Sequence, residues 1–311
     1  SCMVHGLIVP CLTLKIREKL TWRLVLGAYS FPWEYDGKTG HFVVGDTVLV
    51  AETNKDQVEV HVYSLKNDCT DIDEKIIVSF FDLRNSYTEF YEKALKDPLL
   101  SEFAKKYYGW RPRQSDLWWA TVIGVCQQNA SFLQGWKMLA SIIKLYGRRI
   151  LVGNKELLVP PTPNDILKHP ELLVQAKTGY RAETIMRVAK LFVEKPSSEI
   201  DFYDLISIKG IGEYTASLAM VLARREYWRA PIDRWLKRII AHVYRVNDRE
   251  APKIYRRLWG NYQGLAALAT TIALDAVPLR QALKRIDKGK TIPSIMDKPT
   301  PANMWMFTEY W

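Results

Sequence analysis

The strongest constraint in this 311-residue sequence is a pair of glycines, Gly210 and Gly212, between two stretches of helical character. Apolar residues recur at helical spacing on both sides of the pair, from Leu205 to Ala219. Glycines one residue apart permit a tight turn and let the backbone approach another molecule closely. The amide groups that open the second helix suit a phosphate, and Lys209 adds positive charge beside the turn. We therefore expect two helices joined by a turn that is either a structural corner or a contact with DNA.

A second short pattern, Ala230-Pro-Ile-Asp-Arg-Trp-Leu, follows further along the chain. Pro231 and Asp233 stand where a new helix should begin, because proline favours the first helical turn and aspartate favours the N-cap. Asp233 has two compatible roles at this position. It can cap the helix, and it can present a carboxylate at the mouth of a cleft.

Hydrophobic periodicity changes near Asp82. Before it, alternation in residues 58–63 and the short apolar run at 76–81 predict a small antiparallel sheet. After it, apolar residues recur near every 3.6 residues as far as Ile286. We expect an α+β fold with a β-rich domain at residues 1–81 and a mostly helical core at residues 82–290. Residues 291–311 would form a tail that is either an extended wrap or a loose end.

The formal net charge is +10 and the pI is about 9.3, which suits a polyanionic partner but is common among basic cytosolic proteins. Arginine pairs such as Arg111 with Arg113 are candidate phosphate contacts, with solvated surface as the alternative. No apolar run is long enough to span a bilayer and no signal-peptide pattern begins the chain, so we expect an intracellular protein without a membrane partner.

The cysteines are spread widely and contain no CxxC pair, which argues against a zinc site or an iron–sulfur cluster. Their spacing fits reduced thiols. They are Cys2, Cys11, Cys69 and Cys126.

The glycine turn and the Pro-x-Asp segment together resemble the defining elements of the helix-hairpin-helix (HhH-GPD) DNA glycosylase superfamily. The resemblance implies a two-lobed, mostly helical core with a base pocket between the lobes. It also implies an enzyme that flips a damaged base out of duplex DNA and cuts its N-glycosidic bond, with Asp233 as the catalytic carboxylate. A structural Na⁺ or K⁺ would be held by the backbone carbonyls of Ile206, Ile208 and Ile211, with no other cofactor required. Duplex DNA is the expected partner, and the chain is expected to be a monomer.

Further segments are similar to the 8-oxoguanine DNA glycosylase branch: Ser30-Phe-Pro-Trp, Cys126-Gln-Gln-Asn, Gly179-Tyr-Arg-Ala and Leu258-Trp-Gly-Asn-Tyr-Gln-Gly. The resemblance implies that Asn129 fills the gap left by the flipped base, Tyr180 wedges into the stack and Arg181 faces the opposite base. The structural alternatives are a helix cap for Asn129 and a helix start for Tyr180 and Arg181. The implied DNA-contacting residues are Gln128, Asn129, Tyr180, Arg181, Lys209, Gly210, Gly212 and Lys237.

The sequence departs from that branch at the lysine whose amine attacks the sugar, which corresponds here to Tyr214. A tyrosine cannot form an imine, and the 3-methyladenine glycosylase branch has an aromatic residue at this position. We therefore predict a monofunctional enzyme in which Asp233 stabilises positive charge on the deoxyribose and positions a water molecule.

The positions that read the base differ as well. Ala28 replaces the glycine whose carbonyl detects 8-oxoguanine, while Leu218 and Thr271 replace the two residues that pack on the base. Tyr29 and Tyr214 are candidate replacements, as are Trp118 and Trp119, although the tryptophans suit a core equally well.

Substrate assignment follows from these departures. A cationic alkylated purine needs little acid assistance to leave, and aromatic walls would attract it. The alternatives are 8-oxoguanine, with lyase activity from an unplaced lysine, and a non-catalytic protein that binds damaged DNA. A helical protein-interaction module explains neither the turn nor the Pro-x-Asp segment.

Overall fold

The computed structural model describes residues 6–7, 9–29, 33–55, 57–295 and 298–306. Its N-terminal part is a five-stranded antiparallel sheet in the order β2-β6-β5-β4-β3. The strands are β2 (Leu12–Ile16), β3 (Trp33–Tyr35), β4 (Thr39–Val44), β5 (Thr47–Asn54) and β6 (Gln57–Ser64). The helix α1 (Trp22–Gly27) connects β2 to β3.

The alternation predicted at residues 58–63 is confirmed, because Val58, Val60 and Val62 are fully buried on one face of β6. The strand predicted at residues 76–81 is wrong. These residues lie in the helix α2 (Glu74–Phe81), whose N-cap Asp73 accepts a hydrogen bond from the Lys75 amide. The helix buries residues 77, 80 and 81, a spacing that follows the helical period.

The remaining chain is mainly helical, as expected from its periodicity. A short sheet interrupts it, in which β1 (Gly6–Leu7) pairs in parallel with β7 (Arg149–Val152), and β7 pairs in antiparallel with β8 (Lys155–Leu158). The helices are α3 (Thr88–Ala94), α4 (Ser101–Lys106), α5 (Leu117–Gln127), α6 (Phe132–Tyr146), α7 (Pro163–Lys168), α8 (Glu171–Gln175), α9 (Arg181–Glu194), α10 (Phe202–Ile206), α11 (Glu213–Arg224), α12 (Arg234–Tyr244), α13 (Ala251–Trp259), α14 (Gln263–Ala273) and α15 (Leu279–Asp287).

The helix α5 is the centre of the helical part. Its first ten residues are buried, and it packs against α6, α9 and α11. The five-stranded sheet and the helices share one apolar core, to which Phe42 of the sheet and Phe80 of α2 both belong. The domain boundary at residues 81 and 82 remains a prediction. Among the described helices, none has the length and hydropathy needed to cross a bilayer.

The described part of the C-terminal tail is a wrap and not a loose end. Ala302, Asn303 and Met304 are fully buried. The Arg23 guanidinium donates to Asn303 Oδ1 at 2.6 Å, and the Tyr29 amide donates to the Pro301 carbonyl at 3.1 Å. The last five residues lie outside the described part, as does the Ser30-Phe-Pro portion of the N-terminal motif.

The expectation of reduced cysteines is wrong for one pair, since Cys11 and Cys69 form a disulfide. The antiparallel pairing of β2 with β6 explains why residues far apart in sequence meet, because the Cys11 amide already donates to the Val62 carbonyl at 2.7 Å. Cys126 is a buried free thiol, and Cys2 lies outside the described residues.

Candidate active site

The predicted turn joins α10 to α11, and its two glycines are required for different reasons. Gly210 has a φ of +101°, and a Cβ placed there would lie 2.2 Å from Thr184 Oγ1 on α9. Gly212 is the N-cap of α11, and a Cβ there would meet no atom within 4 Å. Gly210 therefore lets the turn pack against α9, whereas Gly212 leaves the start of α11 open to an approaching molecule.

Asp233 combines the two roles proposed from the sequence. It is the N-cap of α12, and its Oδ1 accepts a hydrogen bond from the Leu236 amide at 2.8 Å. It also contacts two adjoining cavities. Burial raises the pKa of Asp233 above its ordinary value, and the hydrogen bond from Leu236 opposes part of that rise. The capping bond thus fixes the orientation of a carboxylate that faces open space.

The first cavity, here named the outer cleft, has a volume of about 780 Å³. Both glycines of the turn and Asn129 line it. The second, named the inner pocket, has a volume of about 350 Å³ and is mostly apolar. Asp233 and Tyr214 contact both, so the carboxylate lies where the outer cleft meets the inner pocket.

Four of the five predicted base-pocket residues line the inner pocket: Tyr29, Tyr214, Leu218 and Thr271. Ala28 is fully buried, and its carbonyl accepts a hydrogen bond from Arg113 at 2.6 Å. Of the two candidate tryptophans, Trp119 is a core residue, and the Trp118 indole donates to the Pro161 carbonyl at 2.9 Å. Both tryptophans are therefore core residues and do not line the described pocket.

The phosphate contacts predicted for Arg111 and Arg113 are wrong, as the position of Arg113 shows first. It is 2% exposed, and its guanidinium donates to the carbonyls of Val25, Ala28 and Tyr29. Arg111 is likewise buried and donates to the Asp82 carbonyl at 2.8 Å. These two side chains bind the protein's own backbone instead of lying on a surface that could meet phosphate.

Sequence reasoning missed several pocket residues. Phe132 and Trp136 lie four residues apart on α6, a helical spacing that places both on one face, and both line the inner pocket. Trp235, two residues after Asp233, lines both cavities and donates its indole hydrogen to the Val277 carbonyl at 2.8 Å. Gln127, at the end of α5, also contacts both cavities.

The charges in the site are few. Burial raises the pKa of both Tyr29 and Tyr214, and the nearby Asp233 carboxylate raises both further. The two phenols are therefore neutral at physiological pH. Among the described residues that line the two cavities, Asp233 is the only carboxylate and there is no lysine.

The predicted DNA-contacting residues of the two loops lie together at the rim of the outer cleft. Asn129, with a φ of +52°, donates to the Tyr180 hydroxyl at 3.3 Å. Arg181 donates to the Gln128 carbonyl at 2.6 Å, and the Gln128 Oε1 accepts from the Thr215 hydroxyl at 2.8 Å. Tyr180 is 57% exposed and available to a ligand, whereas Arg181 is buried against the loop. Their roles toward DNA remain predictions.

The remaining predicted residues surround the turn. Lys209 is exposed beside it, and Lys237 is partly exposed in the first turns of α12. Of the three carbonyls proposed to hold a monovalent cation, that of Ile208 already accepts from the Ile211 amide at 3.0 Å. A carbonyl oxygen has a second lone pair, so this bond leaves the Ile208 oxygen able to bind a cation as well. The cation and its three carbonyl ligands remain a prediction.

Comparisons with known proteins find similarity to DNA glycosylases. Residues 14–120 match the family described as the 8-oxoguanine DNA glycosylase N-terminal domain. A curated relative, the DNA-3-methyladenine glycosylase of Bacillus subtilis (strain 168), is 32% identical over 171 residues. That match covers 51% of this chain and 56% of the relative.

Two solved structures share the fold. The 3-methyladenine DNA glycosylase of Archaeoglobus fulgidus has a TM-score of 0.66 at 18% identity, covering 89% of this chain and 98% of its own. The Clostridium acetobutylicum 8-oxoguanine glycosylase/lyase, bound to DNA with cytosine opposite 8-oxoguanine, has a TM-score of 0.64 at 16% identity, covering 84% and 89%. The N-terminal match, the curated relative and the shared fold together support the resemblance to the helix-hairpin-helix (HhH-GPD) superfamily of DNA glycosylases.

Proposed function

We propose that the protein removes a damaged base from duplex DNA by hydrolysing its N-glycosidic bond, with Asp233 as the catalytic carboxylate. The observation that carries this proposal is the position of Asp233. It is held by a capping bond at the junction of the outer cleft and the inner pocket, whose walls are largely aromatic and aliphatic. A duplex bound at the cleft could place a flipped base in the pocket and leave the sugar beside the carboxylate.

In the proposed reaction the bond between C1′ and the base nitrogen breaks, and the bonding electrons leave with the base. The ionised Asp233 stabilises the positive charge that develops on the sugar. A water oxygen then bonds to C1′, and its proton passes to Asp233 or to solvent. The products are the free base and an abasic site in an intact strand.

The absence of lyase chemistry is part of the proposal. Tyr214 lines both cavities at the position where a lysine would be expected for imine formation. Its phenol cannot form an imine, and no lysine occurs among the described residues that line the two cavities. Hydrolysis by water is the step that this set of side chains supports.

An alkylated purine is the substrate we favour. Tyr29, Tyr214, Phe132 and Trp136 supply aromatic surface around the inner pocket, and Asp233 is its only carboxylate among the described lining residues. Such a pocket attracts a cationic base through cation–π and charge interactions. The DNA-3-methyladenine glycosylase relative supports this choice.

The second candidate is 8-oxoguanine, favoured by the family match over residues 14–120. The position of Ala28 weighs against it, because Ala28 is fully buried and is not among the described residues that line the inner pocket. The third candidate is a protein that binds damaged DNA without excising a base.

The test is base release from duplexes that each carry one modified base: 3-methyladenine, 7-methylguanine, hypoxanthine, 8-oxoguanine or uracil. Products are analysed with and without alkali, and borohydride is added to trap any imine. We expect release of an alkylated purine, strand breaks only after alkali and no trapped adduct. Release of 8-oxoguanine with trapping would favour the second candidate. Tight binding without release from any duplex would favour the third.

A further inference from the structure

Gln127 is a polar side chain of the inner pocket that the proposed hydrolysis does not use. It ends α5, is partly buried and contacts both cavities. Its Nε2 atom is buried and has no hydrogen-bond partner among the described residues. A carboxamide offers one acceptor oxygen and two donor hydrogens, and buried polar groups of this kind normally have partners. The amide nitrogen therefore faces the protein interior and not the cavities.

The packing of α6 on the end of α5 fixes the direction of this carboxamide. A Cβ placed on Gly135 of α6 would lie 2.7 Å from Gln127 Nε2 and 2.9 Å from its Cδ. The missing side chain at Gly135 therefore makes room for the amide, and the nitrogen lies against α6. Oε1 is not among the buried atoms that lack a partner, and Gln127 lines both cavities, so we assign Oε1 as the atom that faces them.

Neighbouring hydroxyls are already engaged. The Ser131 hydroxyl accepts from the Gln134 amide at 3.2 Å, and the Thr271 hydroxyl donates to the Ala267 carbonyl at 2.9 Å. Asp233 is committed to α12 through one oxygen and is placed for the sugar. Beside the two phenols of Tyr29 and Tyr214, Gln127 is a polar side chain of the inner pocket that can contact a polar edge of the base.

We infer that Gln127 is a specificity-determining residue whose Oε1 accepts a hydrogen bond from the exocyclic amine of an adenine-type base. This inference rests on the proposed function and specifies its substrate class as N-alkylated adenine. The positive charge of such a base makes its amine a stronger donor. A 6-oxo purine such as 7-methylguanine or 8-oxoguanine instead presents an acceptor oxygen at the same edge, which would face Oε1 without a hydrogen between them.

The experiment compares wild type, Gln127→Met and Gln127→Glu on duplexes containing 3-methyladenine or 7-methylguanine. Both bases are cationic. They differ at the 6-position edge that Gln127 would contact, in the methylated nitrogen and in the 2-amino group, so the test is the change that Gln127→Met makes in the ratio of the two rates relative to wild type. Methionine keeps the size of the side chain and removes its hydrogen bonding, whereas glutamate keeps the acceptor and removes the donors. Gln175→Met, at an exposed position on α8, is the matched control. The readout is the ratio of kcat/KM values for the two bases within each variant.

We expect Gln127→Met to lower kcat/KM for 3-methyladenine about 10- to 100-fold, with a much smaller change for 7-methylguanine. Gln127→Glu should stay within a few-fold of wild type on 3-methyladenine at pH 8.

An unchanged ratio in Gln127→Met would overturn the inference, and because the ratio is taken within one preparation, partial unfolding cannot produce or hide it. Equal losses in the methionine and glutamate variants would also overturn it, because they would assign the contact to the nitrogen. If wild type releases 7-methylguanine but not 3-methyladenine, this inference fails while the proposed function stands. If wild type releases no base from any duplex, the proposed function itself fails.

Discussion

Replacing Asp233 by asparagine separates its structural role from its chemical role. In the wild-type protein the Leu236 amide donates to Asp233 Oδ1 at 2.8 Å. Asparagine is as good an N-cap as aspartate, so its side-chain oxygen can accept the same hydrogen bond. The negative charge at the junction of the two cavities is lost. Alanine at the same position loses the charge and the cap together. The pair of variants therefore distinguishes catalysis from helix stabilisation.

The expected stabilities follow from the cap and from the sign of the pKa shift. Burial raises the pKa of Asp233, so the folded state disfavours its ionised form relative to the unfolded state. This penalty is absent below the ordinary aspartate pKa of about 4 and grows as the pH rises through the raised pKa. Asp233→Asn should match or exceed wild-type stability at pH 8, and Asp233→Ala should be about 1 kcal/mol less stable than Asp233→Asn.

The expected activities do not follow the stabilities, because both variants should be nearly inactive. Single-turnover base release should fall about 10²- to 10⁴-fold in both variants, because both lack the charge that stabilises the sugar cation. Wild-type activity should fall as the pH drops through the raised pKa of Asp233, and the residual activity of Asp233→Asn should not follow that titration. Urea unfolding at pH 5 and pH 8 supplies the stabilities. Wild-type rates of release by Asp233→Asn would refute the assigned role, and a stability equal to that of Asp233→Ala would refute the cap argument.

Three further predictions concern the framework of the site. Gly210→Ala should destabilise the protein by about 1–3 kcal/mol in urea unfolding, because the backbone φ is +101° and the new Cβ would lie 2.2 Å from Thr184 Oγ1. If the double variant with Thr184→Ala recovers none of the lost stability, the steric explanation is wrong. Arg113→Met should cost about 3 kcal/mol, since three backbone carbonyls lose a buried donor, and a neutral result would contradict the importance of these bonds. Lys209→Ala should weaken binding to all duplexes equally and lower the salt slope by about one. Lys190→Ala, exposed on α9, should leave the slope unchanged, and identical slopes for both variants would remove Lys209 from the DNA contact.

Local patterns explain which elements the sequence predicts correctly. The alternation at residues 58–63 identifies β6 because it depends only on neighbouring residues and on one buried face. The apolar run at residues 76–81 is too short to distinguish a buried strand from a helix. Asp73, whose side chain caps α2, decides in favour of the helix but lies outside the run. A local pattern therefore predicts an element only when the residues that set its period and its ends are read together.

The residues of the site also differ in whether the sequence alone can identify them. The glycine turn and Asp233 are recognisable because their spacing along the chain is itself the feature. The walls formed by Phe132 and Trp136 are not, because only the tertiary structure brings α6 to the pocket that Tyr214 and Asp233 line. Arg113 shows the limit most clearly. Charge predicts a surface residue, yet three carbonyls around the end of α1 hold its guanidinium in the interior.

The rim of the outer cleft connects the two regions expected to contact DNA. Thr215, in the first turn of α11, donates to Gln128 Oε1 at 2.8 Å and lies 3.3 Å from the Gly124 carbonyl of α5. Arg181 holds the carbonyl of the same Gln128 from α9. Asn129 is therefore fixed relative to the start of α11, where Gly212 leaves the backbone open. A duplex whose phosphate binds at that helix start would meet Asn129 at a set distance, so docking of the backbone and filling of the gap left by the base are geometrically coupled.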